Sequence, residues 1–287
     1  MATAVKNAID PSTTGTRSPL PDYELFDENT QAIVFNFQPA AVQRMLDFDI
    51  TCRRQTPSVA AIVYAARANT EHRCFWGNQE VTIPIYRTIE EAAAAQPQAD
   101  VMINFASFRS AFESTRDALL QPSIRTVAVI AEGIPERRAR ELAAIAKEKQ
   151  KWIVGPATVG GVKAGKFKVG NAAGTLDNIT DTKLYIPGCV GFVSKSGGMS
   201  NEMYNTISLA CGPEDKQNIG YPALNEGIAI GGDSYPGSSL LDHLLRFEAN
   251  PDIKMLVALG EVGGTCEYEI VKALNDRSIT KPLVIWS

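Results

Sequence analysis

Two glycines set between a strand-like run and a helical one give the sharpest chemical signal in this sequence. They lie in Gly191-Phe-Val-Ser-Lys-Ser196-Gly197-Gly198-Met199-Ser200-Asn201-Glu202. Residues without side chains let backbone N–H groups close around an anion, and a helix start adds about half a positive charge. A phosphate or carboxylate suits such a turn. A plain strand-to-helix connection, with glycine for tight geometry, suits it as well. The segment is neither a Walker A loop nor a GxGxxG fingerprint, so ATP or NAD does not follow from it.

Carboxylates beside glycines form the second set of candidates. Gly260-Glu261-Val262-Gly263-Gly264 closes a strand at the end where open α/β sheets bind ligands. There Glu261 can orient a histidine, accept a proton or face a metal, or it can be a solvated turn residue. Gly231-Gly232-Asp233 has the same placement and the same two readings. Glu132, in Ala131-Glu132-Gly133-Ile134-Pro135, stands just before a helix, where capping competes with catalysis. Asn104, Phe105, Ser107, Arg109 and Ser110 follow another strand and set polar donors beside a basic group. That suits a phosphate or an amide, although loops are polar in any case. Lys163, Lys166 and Lys168 fit phosphate contacts or a solvated face equally. His72, in a polar loop, and His243, on a helix beside Leu244 and Leu245, lack partners at telling spacing and read as structural or surface residues.

The elements that must position these groups alternate. Apolar runs at Ala32–Phe37, Val59–Tyr64, Val81–Tyr86, Val101–Phe105, Thr126–Ala131 and Trp152–Val154 are interleaved with helical patterns at 40–48, 89–95, 108–120 and 135–149. After Gly155–Gly174, which has no helical periodicity, a second alternation runs from Cys189 to Trp286. The fold class is therefore α/β, with a Rossmann-like domain followed by a flavodoxin-like one. Residues 1–29 are expected as a flexible arm, 30–175 as the first domain and 176–287 as the second. Leu209–Leu224, with Gly212, Pro213, Gly220 and Pro222, is expected as an exposed excursion. Ending on Trp286-Ser287 inside an interior-type run, the sequence is expected to be truncated.

Composition excludes several classes. With 287 residues, 45% hydrophobic and 21% charged, and a net charge of −4, the chain has globular values. Slight acidity argues against nucleic-acid or membrane-surface partners, and no apolar run reaches the ~20 residues of a membrane span. Five scattered cysteines without CxxC spacing fit reduced thiols in the cytosol.

Several strings together resemble one family. Met45-Leu-Asp-Phe-Asp49, Pro57-Ser-Val-Ala-Ala61, Ile103–Ser110, Ile130–Pro135, Gly155-Pro-Ala-Thr-Val-Gly-Gly161, Ser194–Glu202, Gly227–Asp233 and Gly260–Gly264 look like the ATP-citrate lyase family. They fall in its portion similar to the succinyl-CoA synthetase α subunit. Ser-Gly-Gly-Met-Ser and Gly-Pro-Ala-Thr-Val-Gly-Gly favour the lyase over the synthetase.

The resemblance implies a CoA-binding domain followed by a CoA-ligase domain. It also implies a cytosolic enzyme of acetyl-CoA and lipid biosynthesis, cleaving citrate with CoA, ATP and Mg2+ through a phosphohistidine, citryl phosphate and citryl-CoA. On this resemblance, Ser196, Gly197 and Gly198 hold the phosphoryl group or citrate, Glu261 sits beside the phosphohistidine and its magnesium, Glu132 works at the acyl-phosphate or CoA step, and Asn104–Ser110 line the CoA site. The partners implied are an ATP-grasp portion or subunit and a homo- or hetero-oligomeric assembly. The Gly-His-Ala-Gly motif of the phosphohistidine does not occur in this sequence, so the isolated chain is expected to be inactive. A succinyl-CoA synthetase α-like subunit and a non-catalytic CoA-binding protein are the alternatives.

Overall fold

The computed structural model describes residues 20–212 and 220–287. The expected alternation is present as two parallel-rich sheets. The first is built from β1 (Ala32–Phe35), β2 (Val59–Val63), β3 (Thr70–Trp76), β4 (Gln79–Tyr86), β5 (Val101–Asn104), β6 (Thr126–Val129) and β7 (Trp152–Val154), in the order β3-β4-β2-β1-β5-β6-β7. Helices α1 (Pro39–Thr51), α2 (Ile89–Ala95), α3 (Ala111–Leu120) and α4 (Glu136–Glu148) make its connections. β5 and β6 are buried along their whole length, so they read as continuous apolar runs, as strands covered on both faces do.

The second sheet contains β8 (Gly160–Lys163), β9 (Phe167–Gly170), β10 (Val190–Ser194), β11 (Leu224–Ala229), β12 (Met255–Leu259) and β13 (Leu283–Trp286), in the order β13-β12-β10-β11-β8-β9. α5 (Leu176–Asp181), α6 (Gly197–Ala210), α7 (Leu240–Ala249) and α8 (Cys266–Asn275) flank it. β8 runs antiparallel to β11, and β9 antiparallel to β8. Sheet membership thus changes between Val154 and Gly160, ahead of the expected boundary at 175. The glycines and lysines of 160–170 hide two short strands: a β carbon at Gly161 would lie 2.6 Å from the Gly227 carbonyl, so glycine there permits the close strand approach.

Two further differences have physical reasons. His72 lies in β3, an antiparallel edge strand paired with β4 around the tight Gly77-Asn78 turn. Only one face of that strand needs to be apolar, and Cys74 supplies it, so its polar alternation resembles a loop. Residues 20–29 are not a free arm. Leu25 and Phe26 are fully buried, and the Phe26 ring packs on Phe167 at 5.2 Å. Arg125 donates to the Leu25 carbonyl (3.0 Å), and Arg246 to that of Tyr23 (2.8 Å). The remaining residues expected in the arm, 1–19, lie outside the described residues.

A buried ionic network ties this segment to the second sheet. Glu226 on β11 meets Arg246 of α7 at 2.6 Å and Lys163 of β8 at 3.5 Å, and Lys163 also meets Glu24 at 3.1 Å. Burial works to raise the Glu226 pKa, but Arg246 and then Lys163 outweigh it and hold the carboxyl below its usual value. His243 is wholly buried beside this network. The Arg246 guanidinium donates to its Nδ1 (3.0 Å), so Nε2 carries the proton and donates to Ser238 Oγ (2.9 Å), which in turn donates to the Ile153 carbonyl. Burial, helped by Arg246, keeps this imidazole neutral well below its ordinary pKa. Its role is structural. Among the described residues, no helix is long and apolar enough to cross a membrane.

Candidate functional site

Four strand ends meet at one cavity of about 610 Å³. β6 delivers Glu132, Gly133 and Ile134 ahead of α4, which adds Glu136. β10 delivers Lys195, Ser196 and Gly197 at the head of α6. β11 contributes Gly232, Asp233 and Ser234, and β12 contributes Gly260 and Glu261. Both sheets therefore point strand C-termini at one space, the geometry in which α/β proteins bind ligands.

The connection between the sheets forms one wall. Ala157 lines the cavity and donates its N–H to the Ala131 carbonyl (2.8 Å), while Thr158 donates its hydroxyl to the Ala229 carbonyl. Gly231 has φ +90°, and a β carbon there would fall 2.0 Å from the Pro156 carbonyl oxygen, so the β11 loop can lie against this connection only as glycine.

The head of α6 is organised by serines. Ser196 is the N-cap, and its Oγ accepts from Met199 N–H (3.3 Å). Ser194 Oγ accepts from Ser196 N–H (3.0 Å) and donates to the Ser196 carbonyl (2.9 Å). The N–H groups of Gly197 and Gly198 have no carbonyl four residues back to bind. As the first residues of α6 they stand at the positive end of the helix. Gly197 owes its identity to packing as well, since a β carbon would meet Val159 Cγ1 at 2.8 Å. At Gly198 nothing lies within 4 Å. Gly198 is exposed at the same helix start, and Ser196 and Gly197 line the cavity.

Glu261 rises from a loop whose backbone is pinned by Glu267, which accepts from Glu261 N–H at 3.0 Å. Its own carboxylate is 3.3 Å from Lys195 Nζ. Sequence reasoning missed Lys195, although its position immediately before the N-cap serine was a usable signal. Glu136 and Ser234 were missed too. Among the described residues no three His, Cys, Asp or Glu side chains are grouped to hold a metal ion, and the carboxylate of Glu261, expected beside magnesium, is paired with the Lys195 ammonium.

The other expected contacts divide. Ser107, Arg109 and Ser110 are exposed on the loop after β5, with the Arg109 guanidinium 5.5 Å from the Phe108 ring. Asn104 lies beneath that loop. Its side chain is fully buried, donating to Ser114 Oγ (2.8 Å) and Thr115 Oγ1 (2.9 Å) and accepting from Ala106 N–H (2.9 Å), so it shapes the loop from beneath. Phe105 packs against the core. None of these five lines the cavity at the head of α6. Lys163 and Lys168 are buried: the first belongs to the ionic network, and the second donates to the Gly170 carbonyl (2.6 Å), its pKa pushed down to about 8 by burial. Lys166 pairs with Glu28 (3.4 Å). None of the three lysines lines the cavity.

Comparison with known proteins finds relatives along nearly the whole chain. Residues 193–286 match the CoA-ligase family. The chain is 52% identical over 267 residues to the probable ATP-citrate synthase subunit 1 of Schizosaccharomyces pombe, covering 93% of this chain and 42% of that protein. It is 54% identical to ATP-citrate synthase beta chain protein 1 of Arabidopsis thaliana, covering 92% of this chain and 41% of that one. The solved ATP citrate lyase of Methanothrix soehngenii, in complex with citrate and coenzyme A, superposes with a TM-score of 0.87 at 56% identity. That match covers 93% of this chain and 41% of the lyase. An acetyl-coenzyme A synthetase from Ca. Korarchaeum cryptofilum, at 14% identity and a TM-score of 0.62 over 90% of this chain and 50% of its own, shares the fold alone.

The fold is that of an α/β protein whose residues 193–286 form a CoA-ligase-family region. Within that class, the chain is homologous to one continuous segment of the ATP-citrate lyase family, spanning about two-fifths of the length of these curated relatives.

Proposed function

We propose that this chain is the CoA-binding and ligase segment of an ATP-citrate lyase, which forms acetyl-CoA and oxaloacetate from citrate, CoA and ATP. The observation that carries the reading is the convergence of Glu132, Ser196, Gly197 and Glu261 on one cavity, together with identity above 50% to lyases along nearly the whole chain. In this reading, the head of α6 receives the phosphoryl group or a substrate carboxylate. Uncapped N–H groups and the helix dipole stabilise an oxyanion there without reorganising. Glu132, in the loop between β6 and α4, acts on the acyl phosphate or the incoming thiol. CoA lies along the first sheet, over the exposed Ser107, Arg109 and Ser110, with Asn104 holding that loop in shape.

ATP and magnesium supply phosphoryl chemistry in this reading. Neither histidine of this sequence lines the cavity: His243 is sealed and neutral, and His72 packs edge-on against Phe37 at 5.1 Å in the first sheet. In this reading the phosphohistidine, the ATP-grasp portion and the citryl-CoA-cleaving portion are further portions or subunits of the same cytosolic enzyme, which serves acetyl-CoA and lipid synthesis as a homo- or hetero-oligomer.

A chimera tests the proposal. This chain replaces the matching segment of the Schizosaccharomyces pombe subunit, and acetyl-CoA formation is assayed with citrate, CoA and ATP. Turnover that requires all three supports it. A folded chimera that turns over succinate, or nothing, overturns it. The purified 287-residue chain alone is expected to form no acetyl-CoA.

A further inference from the structure

The cavity has an uneven charge balance. Glu132, Glu136, Asp233 and Glu261 line it, and Lys195 is the one basic residue beside them. A helix start offers about half a positive charge, which is little for a di- or trianion meeting four carboxylates. The chain must find more positive charge at this place, and Lys195 is the side chain positioned to supply it.

Its surroundings are those of a ligand group, not of a surface ion pair. The Lys195 side chain is only 11% exposed and stands one residue before the N-cap of α6. Its backbone is held in register because Lys195 N–H donates to the Leu259 carbonyl (3.0 Å). An ammonium has three protons to donate. Among the described residues its partner is Glu261 at 3.3 Å, whose side chain is 53% exposed. The Glu261 backbone is fixed by Glu267, but a half-exposed carboxylate can rotate into solvent at little cost. Lys195 is buried and has no comparable exit.

We infer that Lys195 is the anion-binding side chain of this cavity, resting on Glu261 until a phosphate- or carboxylate-bearing ligand at the head of α6 takes the carboxylate's place. Glu261 is then a competitor for the ammonium and keeps the buried charge neutralised between ligands. The inference rests on the proposed reading of the cavity as an oxyanion site, and its test separates the two.

The probes are inorganic phosphate and citrate, titrated into the purified 287-residue chain, with circular dichroism as the folding control. Lys195→Met is expected to weaken binding by at least about tenfold, the loss of one charge-assisted contact, and Lys195→Arg to keep it within about threefold. Glu261→Gln is expected to tighten binding by about threefold or more, because the competitor is gone. That gain should vanish in the Lys195→Met/Glu261→Gln double variant, since it acts only through the ammonium. Two results overturn the inference while leaving the site standing: Lys195→Met binding like the parent when Gly198→Val does not, or a Glu261→Gln gain that survives in the double variant. Parent chain that binds neither probe overturns the oxyanion reading itself, and this inference with it.

Discussion

Val159 packs against Gly197 so closely that a β carbon at 197 would lie 2.8 Å from Val159 Cγ1, whereas one at Gly198 would meet nothing within 4 Å. Two adjacent glycines thus have different reasons to be glycine. Val159 belongs to the connection between the sheets, so Gly197 is where α6 is seated against it. Gly198 is left for whatever occupies the cavity mouth.

The contrast makes a paired prediction. Gly198→Val should fold normally, because its branched side chain enters open space. In the chimeric lyase it should lower citrate-dependent turnover by more than roughly 10²-fold, comparable to removing a preorganised oxyanion donor. CoA affinity should hold, since the exposed residues proposed for CoA stand after β5. Gly197→Val should instead destabilise the protein by about 1–3 kcal/mol through overpacking against Val159. Kinetics with urea midpoints on both variants decide, and near-normal turnover in folded Gly198→Val would show that this residue meets no ligand.

Most helices and parallel strands were legible because strands buried on both faces are apolar throughout, and the helices between them carry a 3.6-residue period. The motifs around Glu132, Ser196–Gly198 and Glu261 could be found separately. Their convergence could not be read, since it depends on two sheets aiming strand ends at one cavity. Lys195 escaped notice because a lysine in a loop is ordinarily solvated, and only the fold buries it. The strand β3 was hidden by its single apolar face. The burial of Asn104 is not legible either, because its neighbours in sequence are polar and the Ser114 and Thr115 hydroxyls to which it donates lie on the helix that folds back over it. Leu25 and Phe26 were masked by the Pro, Ser and Thr around them.

Burial of Phe26 predicts that the segment before β1 is part of the core. Phe26→Ala removes a ring with no solvent exposure that packs on Phe167. The expected loss is about 3–5 kcal/mol, typical of a large-to-small change in a core. Urea denaturation measures it. A loss below about 0.5 kcal/mol would mean that residues 20–29 detach in solution.

His243 predicts a pH dependence of stability. Burial and Arg246 hold its folded pKa well below the ordinary 6.5. Below that value the unfolded chain takes up a proton that the folded protein refuses, so acidification favours unfolding, by at most about 1.4 kcal/mol per pH unit. Asp49, pushed up to about 7 by burial against the pull of Arg54, acts in the opposite sense over the same range. The observable is therefore the difference between the parent and His243→Gln, whose amide can keep both hydrogen bonds. Between about pH 7.5 and 5.5, the parent's unfolding free energy should fall relative to the variant's. Parallel curves would mean that the buried imidazole titrates as it does in the unfolded chain.

The sequence predicts an exposed excursion from Leu209 to Leu224, and the structure takes Ala223 and Leu224 out of it. Residues 213–219 lie outside the described residues. On the far side, Tyr221 N–H donates to both the carbonyl and the hydroxyl of Ser208. Ala223 and Leu224 are buried, and their carbonyls accept from Cys189 and Gly188 at the entry to β10 (2.9 and 2.8 Å). Leu224 is also the first residue of β11, the strand that carries Glu226 into the ionic network. Replacing 213–219 by a short Gly/Ser linker should change stability by less than about 1 kcal/mol, since closing a loop depends only weakly on its length. Extending the deletion through Leu224 should remove two buried side chains and the register of β11, and should abolish soluble expression. Urea midpoints for the first variant, with the soluble yield of the second, settle the boundary. If both variants proved equally stable, Tyr221–Leu224 would not be part of the sheet's entry, and the excursion would extend as far as the sequence alone suggested.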